Sequence, residues 1–145
     1  MAEVPEVETL VRDLREAVVG RTLRETHVLR PAAVRFPTVD EFTALLTERV
    51  VLESNRRAKY ILLSLSDNVL LGIHLALWGT VALVPTEQPH LPETVIIWHL
   101  DREEDLRFID KLGYARAAAG APDRLAEQLD LNSLGPEALD PNFDV

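Results

Sequence analysis

The chain has 145 residues, of which 47% are hydrophobic, so it is long enough and apolar enough to bury the core of one domain. It contains no cysteine, which excludes disulfides and a thiolate zinc site within these residues. The formal net charge of −9 argues against a strong nucleic-acid binder, because affinity for DNA rests largely on neutralising phosphates with Lys and Arg. No apolar run approaches membrane-spanning length and the first residues lack the features of a signal peptide, so we expect no membrane partner and a cytoplasmic location.

A helix is predicted at the start of the chain, over residues 5–19. Apolar side chains recur there with the 3.6-residue period of a half-buried helix, and Gly20 follows as a stop signal. These apolar positions are Val7, Leu10, Val11, Leu14 and Val18.

Mixed elements follow this helix. Residues 21–29 have the composition of a strand, and residues 31–37 form a loop bounded by prolines. A short helix is predicted over 41–46, with Thr38 or Asp40 near its N-cap.

From residue 49 onward the pattern is that of short strands separated by turns and prolines. The predicted strands cover residues 50–52, 60–65, 69–75, 78–84, 94–100 and 106–109. A last helix is predicted over 122–128. The fold class is therefore α+β, an antiparallel β-sandwich flanked by helices.

The first residues carry a chemical possibility. If Met1 is removed, as the small Ala2 permits, the new terminal amine titrates near pH ~8 and a fraction of it is a free nucleophile at neutrality. Such an amine can attack a sugar C1′ and form a Schiff base, with Glu3 beside it for proton transfer and Glu6 one helical turn further on. The alternative is structural, since Pro5 suits the first position of a helix and acidic residues suit the positive end of its dipole.

Five blocks in order along the chain favour the chemical interpretation. They are AEVPEVET at residues 2–9, VGRT at 19–22, RRAKY at 56–60, HLALWG at 74–79 and LGPEAL at 134–139. Together they resemble the N-terminal half of the formamidopyrimidine-DNA glycosylase and endonuclease VIII family, whose N-terminal domain is also a β-sandwich flanked by helices. Ordered blocks over nearly the whole chain are far more specific than one motif.

The resemblance implies a DNA glycosylase with AP lyase activity in base-excision repair, acting on oxidised or ring-opened purines in double-stranded damaged DNA. The implied catalytic residues are Ala2 as the nucleophile, Glu3 and Glu6 for protons and ordered water, and Lys59 for elimination of the phosphate. Without the resemblance, Lys59 would be interpreted as a solvated charge.

Further residues are implied as DNA contacts. They are Arg56, Arg57, His74, Leu77, His90, Lys111 and Leu112. Arg56 and Arg57 would face phosphates without identifying bases, and Leu77 would fill the gap left by a flipped nucleotide. His74 also suits a half-buried structural imidazole, because it alternates with apolar neighbours.

The chain departs from the family pattern at two places. Ala2 replaces a proline, but a primary amine forms an imine by equivalent chemistry. The segment Asp110-Lys111-Leu112-Gly113 is two residues shorter than the family pattern and lacks the arginine that enters the duplex in the family, so discrimination of the opposite base should suffer.

The resemblance also implies domain boundaries. Residues 1–133 form the catalytic domain and residues 134–145 start the connection to a helical and zinc-finger domain, so we expect a truncated chain or a natural fragment, and a monomer. No cofactor is expected here, because the family's structural zinc belongs to that second domain. The histidines at 27, 74, 90 and 99 contain no closely spaced ligand pair, which argues against a metal site.

Two other functions remain open. The departures and the negative charge also suit a divergent, non-catalytic domain that binds damaged DNA. A purely structural sandwich is opposed by the coincidence of Glu3, Glu6 and Lys59 in the matching blocks.

Overall fold

The computed structural model describes residues 4–57, 60–76, 79–111 and 113–128, and side chains within those ranges from residue 7 to residue 125. The described residues form three α-helices, α1 (Val4–Ala17), α2 (Val39–Leu46) and α3 (Pro122–Gln128), and two short 3-10 turns, Pro31–Ala33 and Asp101–Glu103. They also form nine strands: β1 (Thr22–Val28), β2 (Val34–Phe36), β3 (Arg49–Arg57), β4 (Tyr60–Leu65), β5 (Val69–His74), β6 (Thr80–Pro85), β7 (Thr94–Leu100), β8 (Glu104–Ile109) and β9 (Arg116–Gly120).

The strands lie in the order β2-β9-β5-β4-β3-β1-β7-β8-β6. Neighbouring strands are antiparallel except β2 and β9, which are parallel. β1 joins the two halves of the sheet, since it pairs with β3 at Thr22 and Leu23 and with β7 along the rest of its length. The predicted class, an α+β fold built on a mainly antiparallel sheet, is confirmed.

One hydrophobic core draws on both halves of the sheet and on α1. From β4 and β5 come side chains such as Ile61 and Ile73, and from β7 and β8 come Trp98 and Phe108, which stack with ring centroids 6.4 Å apart. The predicted apolar stripe of α1 enters the same core through Val7, Val11, Leu14 and Val18. Burial of this stripe stabilises the helix far more than its intrinsic propensity does.

Most predicted elements are confirmed. α1 ends at Ala17, two residues before the predicted end, and the turn that follows closes at Gly20, whose φ of 91° suits a residue without a side chain. α2 starts after Thr38, whose hydroxyl oxygen accepts a hydrogen bond from the Glu41 amide at 3.2 Å. α3 has the predicted bounds. Asp67 and Asn68, both at φ 61°, make the tight turn between β4 and β5.

The prediction was wrong at three places. β3 extends over Arg49–Arg57, well beyond the predicted residues 50–52, because the polar residues after Leu52 also pair with β4. Residues 31–37 are not only a loop, because β2 lies within them and pairs with β9. β9 itself was missed, since its alanines lack the β-branched and aromatic side chains that indicate strands. These alanines are buried, and their small size lets the chain pack closely on both faces.

A buried arginine just before β1 forms ion pairs with Asp101 between β7 and β8 and with Glu104 at the start of β8. The Arg21 guanidinium is buried and contacts Asp101 at 2.5 Å and Glu104 at 2.9 Å. Burial raises the pKa of Asp101, but the hydrogen bond and charge of Arg21 outweigh that effect and hold the pKa below its ordinary value. Among the described residues, no helix is long and apolar enough to cross a membrane.

Candidate active site

The first turns of α1 lie against the end of the β3–β4 hairpin. The Glu8 carboxylate contacts the Arg56 guanidinium at 2.9 Å, and Arg57 and Tyr60 form the register pair next to the hairpin turn. Ala2, Glu3 and Lys59 lie outside the described residues.

Hydrogen bonds fix α1 along β3. The buried Ser54 hydroxyl donates to the Val11 carbonyl oxygen at 3.0 Å, and the Arg15 guanidinium donates to the Ser54 carbonyl oxygen at 2.8 Å. A buried hydroxyl with its partner in place contributes about 1 kcal/mol and, more usefully, sets the axial position of the helix. The start of α1 is therefore held at the hairpin end of β3. Glu6 lies within α1, but its side chain is outside the described part of the structure.

A cross-strand row of polar side chains runs from the same hairpin end. Tyr60 on β4 pairs with His74 on β5, and His74 pairs with Arg116 on β9. Residues directly opposite one another in neighbouring strands place their side chains on one face. The row therefore lies on the face of the sheet away from the Ile61 and Ile73 side chains, which are fully buried.

This row lines a cavity of about 230 Å³. Arg35 of β2 and Tyr114 complete its polar lining. The described residues around the cavity contribute two guanidinium groups and no carboxylate, so it is locally basic on a chain of net charge −9. Such a cavity suits an anionic group flanked by a planar one.

His74 has a defined orientation in this cavity. Its Nδ1 accepts a hydrogen bond from the Ala76 amide at 3.1 Å, and its ring meets the Tyr60 ring edge-on with centroids 4.8 Å apart. Because Nδ1 accepts, the proton of the neutral imidazole is on Nε2, which becomes a hydrogen-bond donor. His74 is half-buried, which agrees with the interpretation as a structural imidazole, and it also lines the cavity.

A buried carboxylate, that of Asp110, follows β8. Asp110 is 1% exposed and accepts a hydrogen bond from the Ala115 amide at 2.8 Å. The Arg116 guanidinium donates to the carbonyl oxygens of Gly113 at 2.7 Å and Ala115 at 2.8 Å. These bonds bring Tyr114 and Arg116 to the cavity, with the exposed Lys111 on the same turn.

The other residues predicted to contact DNA differ in where the structure places them. His90 is exposed in the loop between β6 and β7 and is not among the described residues that line the cavity. Leu77 and Leu112 lie outside the described residues. Arg56 and Arg57 lie at the end of β3 beside the hairpin turn, and Arg56 forms an ion pair with Glu8. Sequence reasoning missed Arg35 and Arg116. Strand register places Arg116 opposite His74, and pairing of β2 with β9 brings Arg35 to the cavity.

Comparisons with known proteins agree with this architecture. The model of the formamidopyrimidine-DNA glycosylase N-terminal domain matches residues 1–117. The formamidopyrimidine-DNA glycosylase of Moorella thermoacetica is 33% identical over 145 residues, covering 100% of this chain and 53% of that protein. That of Geobacter sulfurreducens is 36% identical over 144 residues, covering 99% of this chain and 52% of that protein.

The chain thus spans about half the length of the curated relatives it matches. Among solved structures, Lactococcus lactis Fpg in a complex with DNA containing an abasic site superposes with a TM-score of 0.81. The sequence identity is 22%, and the match covers 88% of this chain and 47% of that one. This similarity shows a shared fold.

Proposed function

Because this chain belongs to the formamidopyrimidine-DNA glycosylase N-terminal domain family, we propose that it is the catalytic domain of a base-excision DNA glycosylase with AP lyase activity. Its substrate is an oxidised or ring-opened purine in double-stranded DNA. Residues 1–133 form the catalytic domain and residues 134–145 begin the connection to a second, DNA-gripping domain that carries the structural zinc. We further propose that the protein is a cytoplasmic monomer.

The observation that carries the proposal is the contact between Glu8 and Arg56 at 2.9 Å. The chemistry needs a terminal amine, a carboxylate and a lysine around one sugar, and these come from the helix start and the hairpin turn. A contact that joins these two segments just beyond the reactive residues supports their convergence on one shallow cleft.

The proposed reaction uses the α-amine of Ala2 after removal of Met1. The amine nitrogen attacks C1′ of the flipped nucleotide, and the bond from C1′ to the damaged base breaks with its electron pair going to the base. The sugar ring opens as the imine forms. Loss of a proton from C2′ then expels the 3′ phosphate by elimination, and water later releases the amine.

Three side chains assist these steps in the proposal. Glu3 donates and accepts protons at the sugar and base, Glu6 orders water and the terminus, and Lys59 assists proton transfer during elimination of the phosphate. An amine with a pKa near ~8 suits this role, because a useful fraction is unprotonated at neutral pH.

The DNA backbone would lie along the basic face that continues from the hairpin. Arg57, His74 and the cavity residues Arg35 and Arg116 supply donors for phosphate oxygens, in keeping with a positive strip on an otherwise acidic surface. Further proposed contacts are Arg56, Leu77, His90, Lys111 and Leu112.

A second candidate is a non-catalytic domain that binds damaged DNA. The observation in its favour is Ala2, which stands where the family carries a proline. In that case the basic cavity beside His74 would bind DNA while no imine forms.

Borohydride trapping separates the two candidates. Incubating the 145-residue chain with an abasic duplex and borohydride should give a covalent complex, because reduction turns the imine into a stable amine. Acetylation of the terminus should abolish trapping, and Glu3→Gln should reduce it, whereas the matched change Glu16→Gln on the exposed face of α1 should not. Trapping that survives acetylation would exclude Ala2 as the nucleophile.

The same experiment includes excision from a duplex containing an oxidised guanine. We expect little or no excision by this chain alone, because flipping costs a few kcal/mol of unstacking and needs DNA that is held and bent. An already base-free site avoids part of that cost. Salt-dependent binding without any trapping would select the non-catalytic candidate.

A further inference from the structure

A second group of polar side chains lies in the other half of the sheet, on three adjacent strands. Glu25 of β1 is directly opposite His99 of β7, and His99 is directly opposite Asp105 of β8. His27 follows Glu25 by two residues on β1, so the two side chains lie on the same face. The order β1-β7-β8 thus brings together residues that are far apart in the sequence. The spacing of the histidines along the chain argued against a metal site, but that argument fails for His27 and His99 because strand pairing places their rings side by side.

A β-bulge gives β1 this arrangement. The register between β1 and β7 shifts between Leu23 and Glu25, so that Leu23 is buried in the core while Glu25 and His27 are exposed. In a regular strand Leu23 and Glu25 would face the same side. The bulge turns the second part of β1 so that its carboxylate and imidazole face the same side as His99.

The three side chains converge. One potential ligand atom from each of Glu25, His27 and His99 lies within 4.8 Å of the other two. The His27 Nε2 is 3.1 Å from a Glu25 carboxylate oxygen, and the rings of His27 and His99 meet edge-on with centroids 4.7 Å apart.

His99 is held by a buried carboxylate. Its Nδ1 lies 2.5 Å from Asp105, which is 1% exposed and also accepts hydrogen bonds from the Thr86 hydroxyl at 2.8 Å and the Arg107 guanidinium at 3.0 Å. A hydrogen bond from Nδ1 to a carboxylate fixes the ring and leaves the lone pair of Nε2 for another partner. This carboxylate–imidazole arrangement is the usual support of a metal-binding histidine.

We propose that Glu25, His27 and His99 bind a divalent first-row transition metal ion of the Zn²⁺ type, with Asp105 as the positioning residue behind His99. Two imidazoles and one carboxylate are a donor set that Zn²⁺ accepts. Bonds of about 2.1 Å would draw tetrahedral ligand atoms to about 3.5 Å from one another. Glu25 and His27 are exposed side chains on one strand and can make that small adjustment.

The charges around the site fit this occupant. Arg107 forms an ion pair with the buried Asp105, and Glu25 supplies the one carboxylate of the proposed ligand set. With two neutral imidazoles this gives a site of low negative charge that favours a nitrogen-preferring ion over Ca²⁺ or Mg²⁺. A bound ion would join β1 to β7 and stabilise this half of the sandwich.

The proposal is independent of the proposed enzyme activity, so its test does not use DNA. Calorimetric titration of the 145-residue chain with Zn²⁺ alone should show one ion per chain. Replacement by Co²⁺ should produce visible absorption bands of a low-coordinate site with nitrogen ligands. Zn²⁺ should also raise the melting temperature.

Three variants assign the ligands. His27→Gln, His99→Gln and Glu25→Gln should each weaken Zn²⁺ binding by at least about tenfold, since loss of even a supporting residue typically costs that much. His90→Gln is the matched control, because it removes an exposed imidazole from a loop outside the cluster, and it should leave the affinity within about twofold.

His99→Gln removes one of the partners of the buried Asp105 and can disturb folding, so the exposed positions Glu25 and His27 decide the result. The proposal is overturned if wild-type chain shows no saturable Zn²⁺ binding. It is equally overturned if Glu25→Gln and His27→Gln bind Zn²⁺ as tightly as wild type, or if His90→Gln loses affinity to the same extent.

Discussion

The ion pair between Glu8 and Arg56 should couple the start of α1 to the β3–β4 hairpin, and its strength can be worked out from its exposure. The Arg56 and Glu8 side chains are 18% and 41% exposed, and their charged atoms are 2.9 Å apart. Unit charges about 4 Å apart attract by about 1 kcal/mol in water and about 4 kcal/mol at an effective dielectric constant of about 20. Partial exposure of Glu8 and the cost of ordering two long side chains reduce that upper value.

We therefore expect a coupling free energy of about 1 kcal/mol, which is about a fivefold change in the folding equilibrium. The assay is a double-mutant cycle of Glu8→Gln and Arg56→Gln, with the free energy of unfolding measured by urea denaturation. The cycle is needed because Arg56 has further contacts, which cancel when the coupling term is taken.

The matched control is the ion pair between Arg24 and Glu48. Its atoms are 3.1 Å apart, but its side chains are 55% and 57% exposed, so its coupling should be below about 0.5 kcal/mol. Salt at 1 M should weaken this control pair more in proportion than the partly buried pair, because screening acts mainly on exposed charges.

The same variants test whether the contact between Glu8 and Arg56 matters for covalent trapping on abasic DNA. If the contact aligns the terminal amine with the hairpin, both Glu8→Gln and Arg56→Gln should slow trapping on abasic DNA, while Arg24→Gln should not. A coupling no larger than that of the control pair, or trapping at the wild-type rate in both variants, would refute the reasoning.

Three further outcomes are expected. Gly79→Ala should lower the free energy of unfolding by about 1–3 kcal/mol in urea denaturation, because the added Cβ would lie 2.4 Å from a backbone oxygen. Gly20→Ala should cost only about 1 kcal/mol of backbone strain, because no atom lies within 4 Å of the added Cβ. Equal losses in the two variants would contradict this expectation. Asp101→Asn should lower the free energy of unfolding by about 1–2 kcal/mol at neutral pH. The pKa of Asp101 is lowered in the folded protein, so its contribution to stability is present above about pH 4 and is lost as the pH falls through the folded pKa. A difference in the free energy of unfolding between Asp101→Asn and wild type that stays constant between about pH 5 and about pH 3 would contradict this expectation. Arg35→Gln should reduce the salt slope of DNA binding by about 0.9, measured by fluorescence anisotropy at several salt concentrations, while Arg102→Gln in the turn between β7 and β8 should leave the slope unchanged.

Local patterns in the sequence were enough for most of the secondary structure. The apolar period of α1, the Gly20 stop, the Thr38 cap and the Asp67-Asn68 turn each depend on neighbours within about four residues, so they can be identified without the fold. The matching blocks were likewise sufficient for the family, because they are linear segments in a conserved order.

Tertiary structure decided which of these segments face one another. β9 is a run of alanines that becomes a strand only because β2 and β5 pair with it on either side, and tertiary pairing outweighs its weak propensity. The row from Tyr60 through His74 to Arg116 and the cluster of Glu25, His27 and His99 both arise from strand register. Register places side chains opposite one another whatever their separation along the chain, and a shift of one residue would turn each to the other face. The sequence therefore determined most of the elements and the family, whereas the pairing of strands determined the remaining strands and which side chains share a site.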